Sequence, residues 1–341
     1  MADCKHIRVP GARSFISAMC FAGLWLWGSS PVDEKHPPAS QARKQPDSVQ
    51  FQMKNVNFLL APDIALEVKT LRGQLQSSKA DVPVTFDDPA SFVVNIDTAE
   101  VAVTPESLTT LMNSYVFAYP GAPVKDVTMT IKGNHLIQKG TIHKKVDLPF
   151  EIEGSISATT DGNIRVHADK IKSKGIPVKG LLHFLGEDLA KLVKQSAGRG
   201  VQVEGDDLIL NLRALTPPPH MIGKVSRASI DGGKVVQHFD SGRHLAPLKP
   251  PFPAGAYIYH RGGVVRFGKL TMQDADLEIV GDRPGAFNFF QREYLKQLVA
   301  GYSKSTANKG LVAHMIDYSR VGSTRTSADR KAPVPAASAP H

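Results

Sequence analysis

The sequence predicts an α+β fold dominated by long antiparallel strands, and three observations carry that prediction. Segment after segment alternates apolar and polar residues with period two. Short Gly-, Asn- and Asp-bearing turns join these segments. Two stretches interrupt the alternation with the three-to-four-residue spacing of an amphipathic helix. One-sided alternation means sheets with one dry and one wet face. Consecutive long hairpins of this kind point to a highly curved sheet rather than a stack of short sandwich strands.

The first 30 residues do not belong to that pattern. Lys5, Arg8 and Arg13 precede an apolar run from Phe15 to Trp27, followed by the small residues Gly28, Ser29 and Ser30. The run is shorter than the roughly 20 residues a bilayer span needs, and its length suits the apolar region of a signal peptide. An uncleaved N-terminal anchor is the alternative, because Trp25 and Trp27 are poor neighbours for cleavage. Either way the expectation is an exported protein, periplasmic or envelope-associated. Both cysteines, Cys4 and Cys20, lie in this leader. The remainder has no disulfide, no cysteine metal site and no thiol nucleophile. Residues 31–50 are polar and Pro-rich and read as a disordered linker, and 319–341 as a disordered Ala/Pro/Ser tail. The folded part divides into a main domain, 51–240, and a C-terminal β/helix extension, 241–318.

Within the main domain "IALEVKTLRGQL" and "SFVVNIDTAEVAV" read as long strands. A helix follows: Thr104 is a good N-cap, Pro105 suits the first helical position, and Glu106 complements the helix dipole. Leu108, Leu111, Met112, Tyr115 and Val116 then share one face. Val127, Met129 and Ile131 alternate up to a Gly133-Asn134 turn into "HLIQKGTIHKKVD". Phe150, Ile152 and Ile156 share a face of the next strand, which turns near Asp161-Gly162 into Ile164, Val166 and Ala168. The stretch 176–193, "IPVKGLLHFLGEDLAKLV", is a second amphipathic helix with Leu181, Leu182, Leu185 and Leu189 on one side and Glu187 and Lys191 on the other. "VQVEGDDLILNLRAL" and the hairpin "GKVSRASIDGGKVVQHF" complete the domain. In the extension, strands flank Arg261-Gly262-Gly263. Phe287, Phe290, Tyr294, Leu298 and Tyr302 fall at helical spacing.

The chemistry-bearing residues form no recognisable site. The 12 histidines are scattered, and His135, His143, His167, His183, His220, His238, His244 and His260 share no metal-ligand spacing. There is no Gly-x-Ser-x-Gly elbow, no phosphate-cradling loop, and the aspartates Asp161, Asp206 and Asp231 sit at turns. The chain therefore reads as a non-enzyme with no cofactor and no metal, with a hydrolase acting on envelope lipid or glycan as the alternative. A net charge of +9 favours an anionic partner such as a phospholipid surface. The basic residues are interleaved with acids and lack an aromatic-studded run, which argues against nucleic acid.

The order of these elements resembles the tubular lipid-binding (TULIP) superfamily, in its bacterial secreted phospholipid-binding branch. A strand leads into a helix at "VAVTPESLTTLMNSYV", long strands follow, and a strand ends in "KSKGIPVKGLL" and a second helix. The resemblance covers about residues 51–240. It implies a curved sheet wrapped around one or two helices, with an apolar groove for a phospholipid or other acyl-chain lipid, and binding or transfer rather than catalysis. The groove would be lined by Leu108, Leu111, Met112 and Val116, by Val127, Met129, Ile131, Phe150, Ile152 and Ile156, and by Leu181, Leu182, Leu185 and Leu189. No second tubular repeat is visible, so a longer groove would need a homodimer. The same faces would equally close the core of a structural envelope protein, and the sequence leaves both readings open.

Overall fold

β1 (Ser48–Ala61) is the strand around which the largest sheet is assembled, and its side chains explain why. Phe51 and Met53 face the core on one side of Asn55, and Val56, Phe58 and Leu60 on the other. Asn55 has a φ of +52° and stands unpaired in the ladder, so the parity of the strand switches there while its dry face stays on one side. The computed structural model describes residues 48–79, 81–122, 124–143, 147–173, 200–211, 218–252 and 254–322. The signal-peptide or anchor segment, most of the expected linker, the second helix at 176–193 and most of the expected tail lie outside the described residues. β1 itself begins inside the stretch expected as linker, because Val49 is buried.

β2 (Ile64–Ser77) and β4 (Phe92–Val103) repeat the device. In β2, Ile64 and Val68 precede a register shift at Lys69, and Leu71 and Leu75 follow it. In β4, Phe92, Val94 and Ile96 precede a shift at Asp97, and Ala99 and Val101 follow it. The two shifts offset one another, so the strands stay paired. They also bring the backbones close: a Cβ on Gly73 would stand 2.2 Å from the Asn95 carbonyl oxygen, so only glycine fits. Asp97, fully buried at its shift, is held by Arg243 at 2.5 Å and by the Ser241 hydroxyl at 3.3 Å.

On one side of this trio β13 (Lys234–Asp240) pairs with β4, and β12 (Val225–Asp231) with β13. Their hairpin turns through Gly232 and Gly233, with φ +54° and +72°, which is the two-residue turn that matches strand twist. On the other side lie β14 (Tyr257–Arg261), β17 (Asp276–Gly281), β20 (Leu311–Met315) and β19 (Tyr302–Ser305). The order is β12-β13-β4-β2-β1-β14-β17-β20-β19. β11 (His220–Ile222) and β18 (Phe287–Phe290) add parallel pairings to β4 and β1, making 11 strands. The segment expected as an extension thus continues the large sheet beyond β1. Residues 245–252 strap its outer face: Leu248 N–H donates to Gln52 Oε1 at 2.8 Å, and Phe252 N–H to Glu278 Oε2 at 2.8 Å.

A second, wholly antiparallel sheet runs β5 (Val124–Lys132), β6 (His135–His143), β7 (Asp147–Ala158), β8 (Ile164–Ser173), β10 (Asp207–Leu210), β9 (Val201–Glu204). The Gly133-Asn134 turn joins β5 to β6 as the alternation predicts, with Lys132 opposite His135. The outer face of this sheet is a charge ladder. Glu151 takes Lys139 at 3.2 Å and Lys172 at 2.9 Å from the neighbouring strands, and the Lys172 hydrogen bond holds its carboxyl below the usual range. A small third sheet pairs β3 (Val84–Thr85), β15 (Val264–Phe267) and β16 (Leu270–Gln273).

The described helices are short. α1 (Pro105–Leu111) is capped by the Thr104 hydroxyl, which accepts from Ser107 N–H at 3.2 Å. It runs on into a π-helical turn, Met112–Val116, closed by Phe117 N–H to the Met112 carbonyl at 2.8 Å. That wider turn rotates the face predicted at 100° per residue, so Met112 and Val116 are buried while Tyr115 is exposed. α2 (Tyr294–Ala300) corrects a second expectation. The aromatic residues at helical spacing do not share a helix: Phe287 and Phe290 are on β18, Tyr294 and Leu298 on α2, and Tyr302 on β19. Phe287 and Phe290 are buried beside β1, where extended backbone lets main-chain pairing with Val56–Leu59 decide the conformation. The Gly262-Gly263 turn is flanked by strands, as expected. It hands the chain from β14 in the large sheet to β15 in the small one. The architecture is α+β, mostly sheet, with the core between the inner faces of its sheets.

Candidate functional site

The dry faces of the two larger sheets do not close completely on one another. Between them lies a cavity of about 120 Å³. One wall is the large sheet, through Phe51, Leu71, Val94 and Val101; the other is the second sheet, through Met129, Leu136, Ile156 and Leu208. α1 and the π-helical turn after it close a side with Leu108, Leu111 and Met112. Period-two alternation is what puts these side chains here, since each strand offers every second residue to the gap. An engineered apolar cavity of roughly 150 Å³ stays dry and takes up benzene, so a void of this size and lining is suited to an apolar occupant.

The residues predicted from sequence divide into three groups. Leu108, Leu111, Met112, Met129 and Ile156 line the cavity together. Val116, Val127 and Phe150 do not line it; they share a buried cluster with Met112 and Met129 between the first helical segment and the second sheet, with Ile131 and Ile152 half-buried against it. Leu181, Leu182, Leu185 and Leu189 lie outside the described residues. What the prediction missed is the opposite wall on β1, β2 and β4. Sequence patterning marks β2 and β4 as strands but not β1, and the break in pairing at Asn55 and the register shifts at Lys69 and Asp97 hide their common face.

The described lining is almost wholly apolar, and its polar members are Gln138, Gln237, His260 and Gln291. His260 stands out among them. It projects from β14 opposite Phe51 and is 1% exposed. Its ring is gripped by the Phe51 ring at 5.0 Å and by the Phe86 ring, edge-on, at 5.1 Å. Neither ring nitrogen meets a hydrogen-bond partner at normal geometry; the Leu277 backbone, paired with His260 across the ladder, is the one hydrogen-bonding group that acts on the ring, and it opposes the larger effect of burial. Burial pushes its pKa down to about 3, so the imidazole is neutral at physiological pH. Gln291, 4% exposed at the end of β18, has an Nε2 that is likewise without a partner. The sequence did contain one signal: in "YIYHR", His260 has the parity of the apolar Ile258.

A second polar cluster occupies the outer face of the large sheet, beneath the strap. Glu278 is fully buried there, with its pKa pushed up to about 7 by burial, and Tyr259 donates to Asp276 Oδ1 at 2.8 Å. Among the described residues no His, Cys, Asp and Glu side chains group as a metal site would require, and no helix is long and apolar enough to cross a membrane. Comparison of the chain with protein-family models, with curated proteins and with solved structures gives no match.

Proposed function

We propose that this chain is an exported lipid-binding protein that holds acyl chains in the cavity between its two larger sheets, in the manner of tubular lipid-binding proteins, and carries them between envelope membranes. The observation that carries the reading is the cavity itself, apolar on both sheet walls and along α1. Each methylene taken from water into such a space contributes about 0.8 kcal/mol. A segment of about five carbons therefore gains roughly 4 kcal/mol before the costs of association, with no polar contact needed. The leader-like N-terminus supports export, and the +9 charge supports contact with an anionic membrane surface.

The test is native mass spectrometry of the purified protein, followed by organic extraction and lipid analysis. Wild type should carry an acyl-chain lipid. Met129→Trp combined with Leu71→Trp, which fill the cavity from opposite walls, should abolish it while the protein stays folded. A lipid-free wild type, or lipid retained unchanged in the double variant, refutes the reading. The faces would then be the closed core of a structural envelope protein.

A further inference from the structure

We infer that the ligand of this cavity carries an uncharged hydroxyl or carbonyl oxygen that hydrogen-bonds His260 and Gln291, so that the site selects a neutral, oxygen-bearing lipid over a plain hydrocarbon and over a charged head group. The inference rests on the lipid-binding reading and narrows its substrate class. Buried polar atoms in folded proteins nearly always find partners, and those that do not call for an explanation. Here two side chains lining one cavity lack a partner at normal geometry among the described residues: both nitrogens of His260, approached only by the Leu277 backbone outside that geometry, and Nε2 of Gln291. They belong to one neighbourhood. The Phe86 ring lies 5.1 Å from the His260 ring and 5.5 Å from the Tyr294 ring, and Tyr294 N–H closes a turn onto the Gln291 carbonyl.

The chemistry of the missing partner follows from what these atoms offer. Gln291 Nε2 is a donor only, and a neutral imidazole presents one donor and one acceptor. An ester or ketone oxygen accepts from both donors; a hydroxyl does so and also returns a proton to the imidazole acceptor. A carboxylate or phosphate fits poorly, because no Lys or Arg is among the described lining residues and His260 stays uncharged. Phe51 and Phe86 clamp the imidazole, so it has little freedom to turn away toward another partner.

The experiment uses the full chain and displacement of the dye N-phenyl-1-naphthylamine by two chains of equal heavy-atom count, undecane and 1-decanol, with decanoate at pH 8 as the charged probe. Each is titrated against wild type, against His260→Phe/Gln291→Leu and, should that double variant fold poorly, against Gln291→Met alone. The expected result is that decanol loses about tenfold in affinity relative to undecane in the variants, the worth of one good hydrogen bond. Undecane should be unaffected or tighter, and decanoate the weakest competitor for wild type. An unchanged decanol-to-undecane ratio, as when water alone satisfies the two side chains, overturns the inference but leaves the lipid cavity standing. So does tightest binding of decanoate. If neither decanol nor undecane displaces the dye from wild type, the lipid-binding reading fails and this inference fails with it.

Discussion

Replacing His260 with phenylalanine should remove a specific acid sensitivity from the fold. The native imidazole titrates at about 3, against about 6.5 in an unfolded chain. The folded state therefore binds fewer protons than the unfolded state between those values. Stability contributed by the neutral ring is fully present above pH 6.5 and is lost as pH falls toward 3. One pKa unit is about 1.4 kcal/mol, so at pH 4.5 wild type should have lost about 2.7 kcal/mol on this account alone. His260→Phe keeps an aromatic ring between Phe51 and Phe86 and takes no proton. Above pH 7 the variant should be as stable as wild type or more so, because an unpartnered buried polar group has gone. The assay is urea unfolding of both proteins at pH 8, 7, 6, 5 and 4.5, read as the difference between them. Glu278 titrates in the same range, but it is common to both proteins and cancels. The difference should open steadily below pH 6.5 in favour of the variant. Parallel curves would refute the reasoning, because they would mean that the imidazole is solvated or partnered in the folded protein.

Glu278→Gln should act with the opposite sign. The carboxyl titrates at about 7 when folded and near 4.5 when unfolded, so wild type loses stability as pH rises through that window. The variant should flatten this loss by about 3 kcal/mol, measured as the difference in unfolding free energy between pH 4.5 and 8. Gln297→Leu should cost about 3 kcal/mol in chemical unfolding. Its buried amide donates to the Asn288 carbonyl at 2.9 Å and the Ile316 carbonyl at 2.8 Å, and accepts from Phe290 N–H at 2.9 Å. Gly73→Ala should destabilise by about 2 kcal/mol or prevent folding, since its methyl group meets backbone rather than a movable side chain. A thermal melt within a degree of wild type would show that the two strands are not so closely apposed.

Short-range rules are legible in the amino-acid sequence. Val127, Met129 and Ile131 lie on one face of β5, Gly133-Asn134 and Gly232-Gly233 turn hairpins, and Thr104 caps α1, each because a short-range steric or hydrogen-bonding rule decides the outcome. Five of the residues expected along a groove border the cavity: alternation reports the dry side of β5 and β7 at Met129 and Ile156, and helical spacing the inward side at Leu108, Leu111 and Met112. Periodicity is silent about what that dry side meets. Val116, Val127 and Phe150 have the same pattern and are packed solid, and only the placement of α1 against the second sheet separates the two fates. The period itself also breaks where the register shifts. Asn55, Lys69 and Asp97 reset the parity of β1, β2 and β4, so the central strand and the second cavity wall emerged only in three dimensions. Phe287 and Phe290 carry helical spacing yet extend along β1, because pairing with a distant strand outweighs a local preference. The unpartnered nitrogens of His260 and Gln291 belong to the tertiary structure altogether: a hydrogen bond is missing only when every neighbour is known.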